Sequence, residues 1–174
     1  GETNLLFRND GPAPFEDRSA SADRRERAGA PWWVFTEVAE PVGVTEPVWS
    51  FGCWFWDYDN DGWQDLMVMN LQVKNIASDY LGLPHTPAHT PRVYRNRRDG
   101  TFEDVTIQMG LDRVLPTMGC NFGDLDNDGF LDFYLGTGDP DLSTLVPNRM
   151  FRNDGGRRFQ DVTTAGGFGH LQKG

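Results

Sequence analysis

The sequence predicts an all-β chain assembled from repeated four-stranded antiparallel sheets, and three observations predict it. An acidic nine-residue pattern, D-x-D-N-D-G-x-x-D, occurs at residues 57–65 and again at 124–132, each time between short apolar runs. A second segment, an apolar or aromatic residue followed by Arg-Asn and then Asp-Gly, occurs three times. The spacing between the two kinds of segment is fixed, because Phe35 to Asp57 and Phe102 to Asp124 are both 22 residues. Self-similarity at a constant period is the mark of a repeat architecture.

The acidic segments read as metal loops. Carboxylates at positions 1, 3, 5 and 9 converge on one small turn, and the glycine at position 6 permits the sharp bend. Four such charges a few ångströms apart repel strongly without a cation. Oxygen-only ligands in an irregular loop suit a hard cation of flexible coordination, so calcium is expected rather than zinc or copper. The candidate ligands are Asp57, Asp59, Asp61 and Asp65 in the first loop, and Asp124, Asp126, Asp128 and Asp132 in the second. An EF-hand is excluded: position 12 is Val68 or Leu135 where a bidentate Glu is required. The flanks Phe51-Gly-Cys-Trp-Phe-Trp56 and Asp65-Leu-Met-Val-Met69 have the length and aromatic content of strands, not helices.

The second segment reads as a hairpin. Leu6-Phe-Arg-Asn-Asp-Gly11, Val93-Tyr-Arg-Asn96 with Asp99-Gly100, and Met150-Phe-Arg-Asn-Asp-Gly155 place a turn signal between short apolar runs. A Phe follows each Arg by seven residues, as Phe15, Phe102 and Phe159, and an acidic or amide residue with Asp comes next. One unit is therefore strand, metal loop, strand, connection, strand, Asp-Gly turn, strand, in 57 to 67 residues. Two insertions break the pattern: the Pro-rich stretch at 83–91, and about 20 residues between Phe15 and Phe35, either of which fits as the repeat's Phe.

These F/Y-R-N-x-G, F-x-D-V-T and D-x-D-N-D-G-x-x-D elements resemble FG-GAP/VCBS repeats. Such repeats build the β-propellers of integrin α-chains and of bacterial secreted proteins similar to cartilage acidic protein. The resemblance covers nearly the whole chain and is most specific at residues 118–163; the first repeat departs from it with Trp56 where the second has Gly123. It implies one calcium ion per loop, held also by the position-7 carbonyls of Trp63 and Phe130. It further implies an arc of roughly two and a half blades, from a propeller type that usually has about seven. In that frame residues 1–17 are the last hairpin of one blade, 18–47 an insertion and connection, 48–106 and 117–163 complete blades, and 164–174 a connection to a further blade. An arc leaves its end faces uncovered, so the sequence is expected to be completed by more of its own polypeptide or by another chain.

Composition bounds the function. The net charge of −10 argues against nucleic acid as a partner. No apolar run approaches the ~20 residues of a membrane span. Calcium loops of millimolar affinity suit an extracellular or periplasmic setting, hence a secreted protein. Cys53 and Cys120 hold the same repeat position on neighbouring sheets, which favours two small buried thiols over a disulfide. His85 and His89 are separated by prolines that forbid a helix aligning them as metal ligands. No nucleophile–base set or phosphate loop can be assembled, so no enzyme is expected. The favoured reading is a calcium-binding scaffold for protein interaction. Alternatives are a carbohydrate-binding or polysaccharide-active module, supported by Trp49, Trp54, Trp56 and Trp63, and an accessory subunit of a membrane-attached assembly.

Overall fold

The computed structural model describes residues 3–12, 33–71, 76–138 and 146–169. It is all-β with three antiparallel sheets of two, four and four strands, compatible with part of a propeller arc. The first sheet pairs β1 (Phe7–Pro12) with β2 (Trp33–Glu37). A one-turn helix, α1 (Ala39–Val42), leads to the second sheet, formed by β3 (Ser50–Trp56), β4 (Asp65–Asn70), β5 (Arg92–Asn96) and β6 (Phe102–Asp104) in that spatial order. A short helix, α2 (Ile76–Leu81), lies between β4 and β5. The third sheet repeats the order with β7 (Thr117–Gly123), β8 (Asp132–Thr137), β9 (Arg149–Asn153) and β10 (Phe159–Asp161). Among the described residues, no helix is long and apolar enough to cross a membrane.

The first sheet differs from its expected form. Phe35, not Phe15, is the repeat's Phe: it faces Asn9 across the ladder, as Phe102 faces Asn96 and Phe159 faces Asn153. The Val38 N–H then donates to the Leu6 carbonyl at 2.7 Å, matching Val105 to Val93 and Val162 to Met150. The insertion therefore interrupts the hairpin itself instead of following it, and residues 33–42 are strand and helix instead of a connection. Residues 13–32, including Phe15, Arg24, Arg25, Arg27 and Trp32, lie outside the described residues.

The D-V-T element explains how each hairpin ends. Asp104 accepts both the N–H and the hydroxyl of Thr106, and the Thr106 hydroxyl accepts the Val93 N–H at 3.0 Å. Asp161, Thr163 and Met150 repeat the arrangement. Short polar side chains bonding to nearby backbone groups stop a strand without leaving buried donors unpaired. A tight turn follows at Gly43, Gly110 and Gly167, all at positive φ near +80°, where a Cβ would be strained.

Alternation along β4 sets the packing. Leu66 and Val68 face the first sheet in a cluster with Ala39, Val44 and Tyr94. Met67 and Met69 face the other way, into a larger cluster that joins the second sheet to Phe133, Leu135, Phe151 and Phe159 of the third. Trp56 fills this seam, stacked on Phe159 with centroids 5.5 Å apart and edge-on to Phe133 at 6.0 Å. Aromatic burial of this size dominates the cohesion between two sheets.

Candidate metal centre

Each acidic loop bends at the same two residues. Asn60 and Gly62 have φ of 57° and 87°, and Asn127 and Gly129 have 61° and 92°. Asn and Gly are the residues that reach this left-handed region at least cost. The bend turns backbone donors toward carboxylates. Asp57 accepts the N–H of Asp61 at 2.9 Å and of Gly62 at 2.8 Å, and Asp124 accepts those of Asp128 and Gly129. Asp61 and Asp128 each accept the N–H of position 7, Trp63 or Phe130, at 2.9 Å.

The outcome is two acidic triads. Carboxylate oxygens of Asp57, Asp59 and Asp61 lie within 4.8 Å of one another, as do those of Asp124, Asp126 and Asp128. Asp59 Oδ1 is buried without a hydrogen-bond partner. Burial, then the charge of Asp61, pushes the Asp59 carboxyl above its usual range. Asp61 is held below it, chiefly by Arg98, whose guanidinium donates to Asp61 Oδ2 at 2.6 Å. Arg152 stands 3.6 Å from Asp126 in the second loop.

Position 9 has a different place. Asp65 accepts the Tyr58 N–H at 3.3 Å and the Asn96 N–H at 2.8 Å; Asp132 accepts those of Leu125 at 2.9 Å and Asn153 at 2.8 Å. Both carboxylates are buried, outside the triads, with each oxygen turned toward a backbone donor. Burial raises the Asp65 carboxyl to about 6 and that of Asp132 in the same direction. Position 9 thus ties the loop to the third strand of its own sheet.

That strand supplies residues the sequence reading missed. Asn96 donates its side-chain amide to the Gln64 carbonyl, and Asn153 donates to the carbonyls of Tyr58 and Leu131. The signal was present, since Asn recurs in all three Arg-Asn segments. Oxygen donors alone, crowded like charges and an orphaned buried oxygen together fit a hard cation better than a merely polar turn. Asp57, Asp59 and Asp61 would hold one ion, and Asp124, Asp126 and Asp128 the other.

The remaining candidates separate. Cys53 and Cys120 are free and exposed, not buried as expected, because the first strand of each sheet is an edge. Cys120 Sγ lies against Gly52, 3.3 Å from where a Cβ would stand there, whereas Cys53 lines a groove beside the first sheet. His85 pairs with Asp112 at 3.1 Å, and His89 ends a 3-10 turn at Pro87–His89. Trp54 and Trp56 pack between the sheets, while Trp49 and Trp63 are exposed.

The model of the FG-GAP-like repeat matches residues 77–135, 59 of the 174 residues. The match runs from α2 to β8, and so takes the last two strands of one sheet with the first strand, acidic loop and second strand of the next. The chain thus carries an FG-GAP-like repeat whose sequence frame is offset from its sheets by two strands. No curated protein matches the chain.

Proposed function

We propose that this chain is a calcium-binding propeller module, secreted to the cell exterior or periplasm, that serves as a non-catalytic scaffold for protein interaction. The observation that carries the reading is the pair of equivalent carboxylate triads, one of them with the orphaned oxygen of Asp59. Repeated sheets and the FG-GAP-like match support the scaffold reading. Calcium binds the folded loop and hardly the unfolded chain, so at ten times its dissociation constant each site adds about 1.4 kcal/mol. Thermal unfolding with calcium and with excess chelator tests this: the melting temperature falls on chelation, and an unchanged curve counts against the reading.

Exposed Trp49 and Trp63 support a second reading, a platform for sugar rings. Oligosaccharide titration followed by Trp fluorescence separates the two.

A further inference from the structure

Two residues beyond the Asn of each Arg-Asn segment the backbone is left-handed, at Gly11 (φ 85°), Arg98 (65°) and Gly155 (61°). Glycine takes this conformation at least cost, so the arginine is the exception among three equivalent positions. The turn holds it there, because the Arg98 N–H donates to Asn96 Oδ1 at 2.8 Å. From that place the side chain reaches the acidic loop of its own sheet and donates to Asp61 Oδ2 at 2.6 Å. The other oxygen, Asp61 Oδ1, accepts the Trp63 N–H.

The second loop is built otherwise. Gly155 stands where Arg98 does and brings no charge to Asp128, the counterpart of Asp61. The basic neighbour of that loop is Arg152, 3.6 Å from Asp126 and beyond hydrogen-bond reach. Its own counterpart beside the first loop, Arg95, pairs with Glu103 at 2.7 Å instead. A guanidinium hydrogen-bonded to position 5 therefore distinguishes the first loop from the second.

We propose that Arg98 is a resident counter-cation of the first loop, which competes with calcium for Asp61 and sets that loop's affinity below what its carboxylates alone would give. The proposal rests on the calcium reading of the loops. An ion that takes Asp61 Oδ2 must release the guanidinium, and one that takes Oδ1 leaves a positive charge beside a divalent ion. Either way the pair opposes binding. Without metal, the same pair offsets part of the repulsion among Asp57, Asp59 and Asp61. Linkage makes the two effects reciprocal: what Arg98 adds to the stability of the metal-free loop it subtracts from calcium binding.

Three substitutions test it. Arg98→Gln removes the charge and keeps the demand on the backbone, Arg98→Gly copies Gly155, and Arg98→Lys keeps the charge. Each is made in Asp128→Ala, which confines binding to the first loop, and calcium affinity is measured by calorimetric titration. Affinity should rise about fivefold in Arg98→Gln and Arg98→Gly, the scale of an exposed ion pair, and stay near the parent's in Arg98→Lys. In excess chelator Arg98→Gln should melt below its parent, and the gap should close at saturating calcium. Unchanged or weakened calcium binding in both Arg98→Gln and Arg98→Gly, with the loop still saturable, overturns the proposal and leaves the calcium reading standing. No saturable binding in the parent and the variants alike overturns both.

Discussion

The side-chain amide of Asn153 donates to the backbone carbonyl of Tyr58 at 2.8 Å, so the third sheet is fastened to the acidic loop of the second. Two further contacts tighten the joint. Asn60 in the first loop donates to the Gly129 carbonyl in the second at 2.9 Å. Gly156 closes against Asp59, leaving no room for a side chain. The first loop is clamped by its neighbouring sheet, and the candidate metal loop and the seam between the sheets share parts.

Gly156→Ala should therefore act on both. A Cβ there would stand 2.8 Å from Asp59 Cα and Cβ, and the residue's φ is +73°. Strain of this kind costs about 1–3 kcal/mol. Chemical unfolding should show that loss, and terbium luminescence should show weaker binding at the first loop with the second little changed. Gly62→Ala, which meets nothing within 4 Å but has φ of +87°, separates backbone strain from the clash.

The repeat predicts unequal costs at like positions. Trp56→Ala empties the seam between the sheets and should cost about 3–5 kcal/mol. Leu125 is the counterpart of Tyr58, yet it is 59 % exposed where Tyr58 is 1 % exposed. Leu125→Ala should change stability by less than about 0.5 kcal/mol. Urea unfolding of the two variants checks the contrast, and equal losses would contradict the assigned seam.

Acid should weaken the third sheet through Asp161. Burial pushes its carboxyl up, but hydrogen bonds from Thr163 and Arg113, with the charge of Arg149, hold it below the ordinary 3.8. The folded state thus binds this proton less readily than the unfolded chain. The stabilisation is present above about pH 3.8 and is lost as pH falls through the lower folded value. Asp161→Asn should be less stable than the parent at pH 6, and the difference should shrink toward pH 2.5. Melting curves across that range check it, and a constant gap would count against the ion pairs.

Much of this was legible because the chain repeats its chemistry. The acidic loops, the strands beside them and the order within each sheet follow from D-x-D-N-D-G-x-x-D and its spacing. Spacing left Phe15 and Phe35 both open as the repeat's Phe, and what decides between them is physical. Sequence spacing from Arg8 favours Phe15, but pairing is decided by which strand satisfies β1, and residues 33–37 do so with Val38 returning to Leu6. Helix α2 had no signal in this reading, since it lies just ahead of the Pro-rich stretch at 83–91 that drew attention. What Asp65 and Asp132 accept could not be read from spacing, because the backbone donors of Asn96 and Asn153 are brought near only by the folded sheet.

Calorimetric titration of chelator-stripped protein with calcium decides whether the two acidic loops are metal sites. Two ions should bind per chain, and one in Asp59→Ala or in Asp128→Ala, with the remaining site still saturable. No heat of binding at millimolar calcium, or a stoichiometry unchanged by both substitutions, would contradict it.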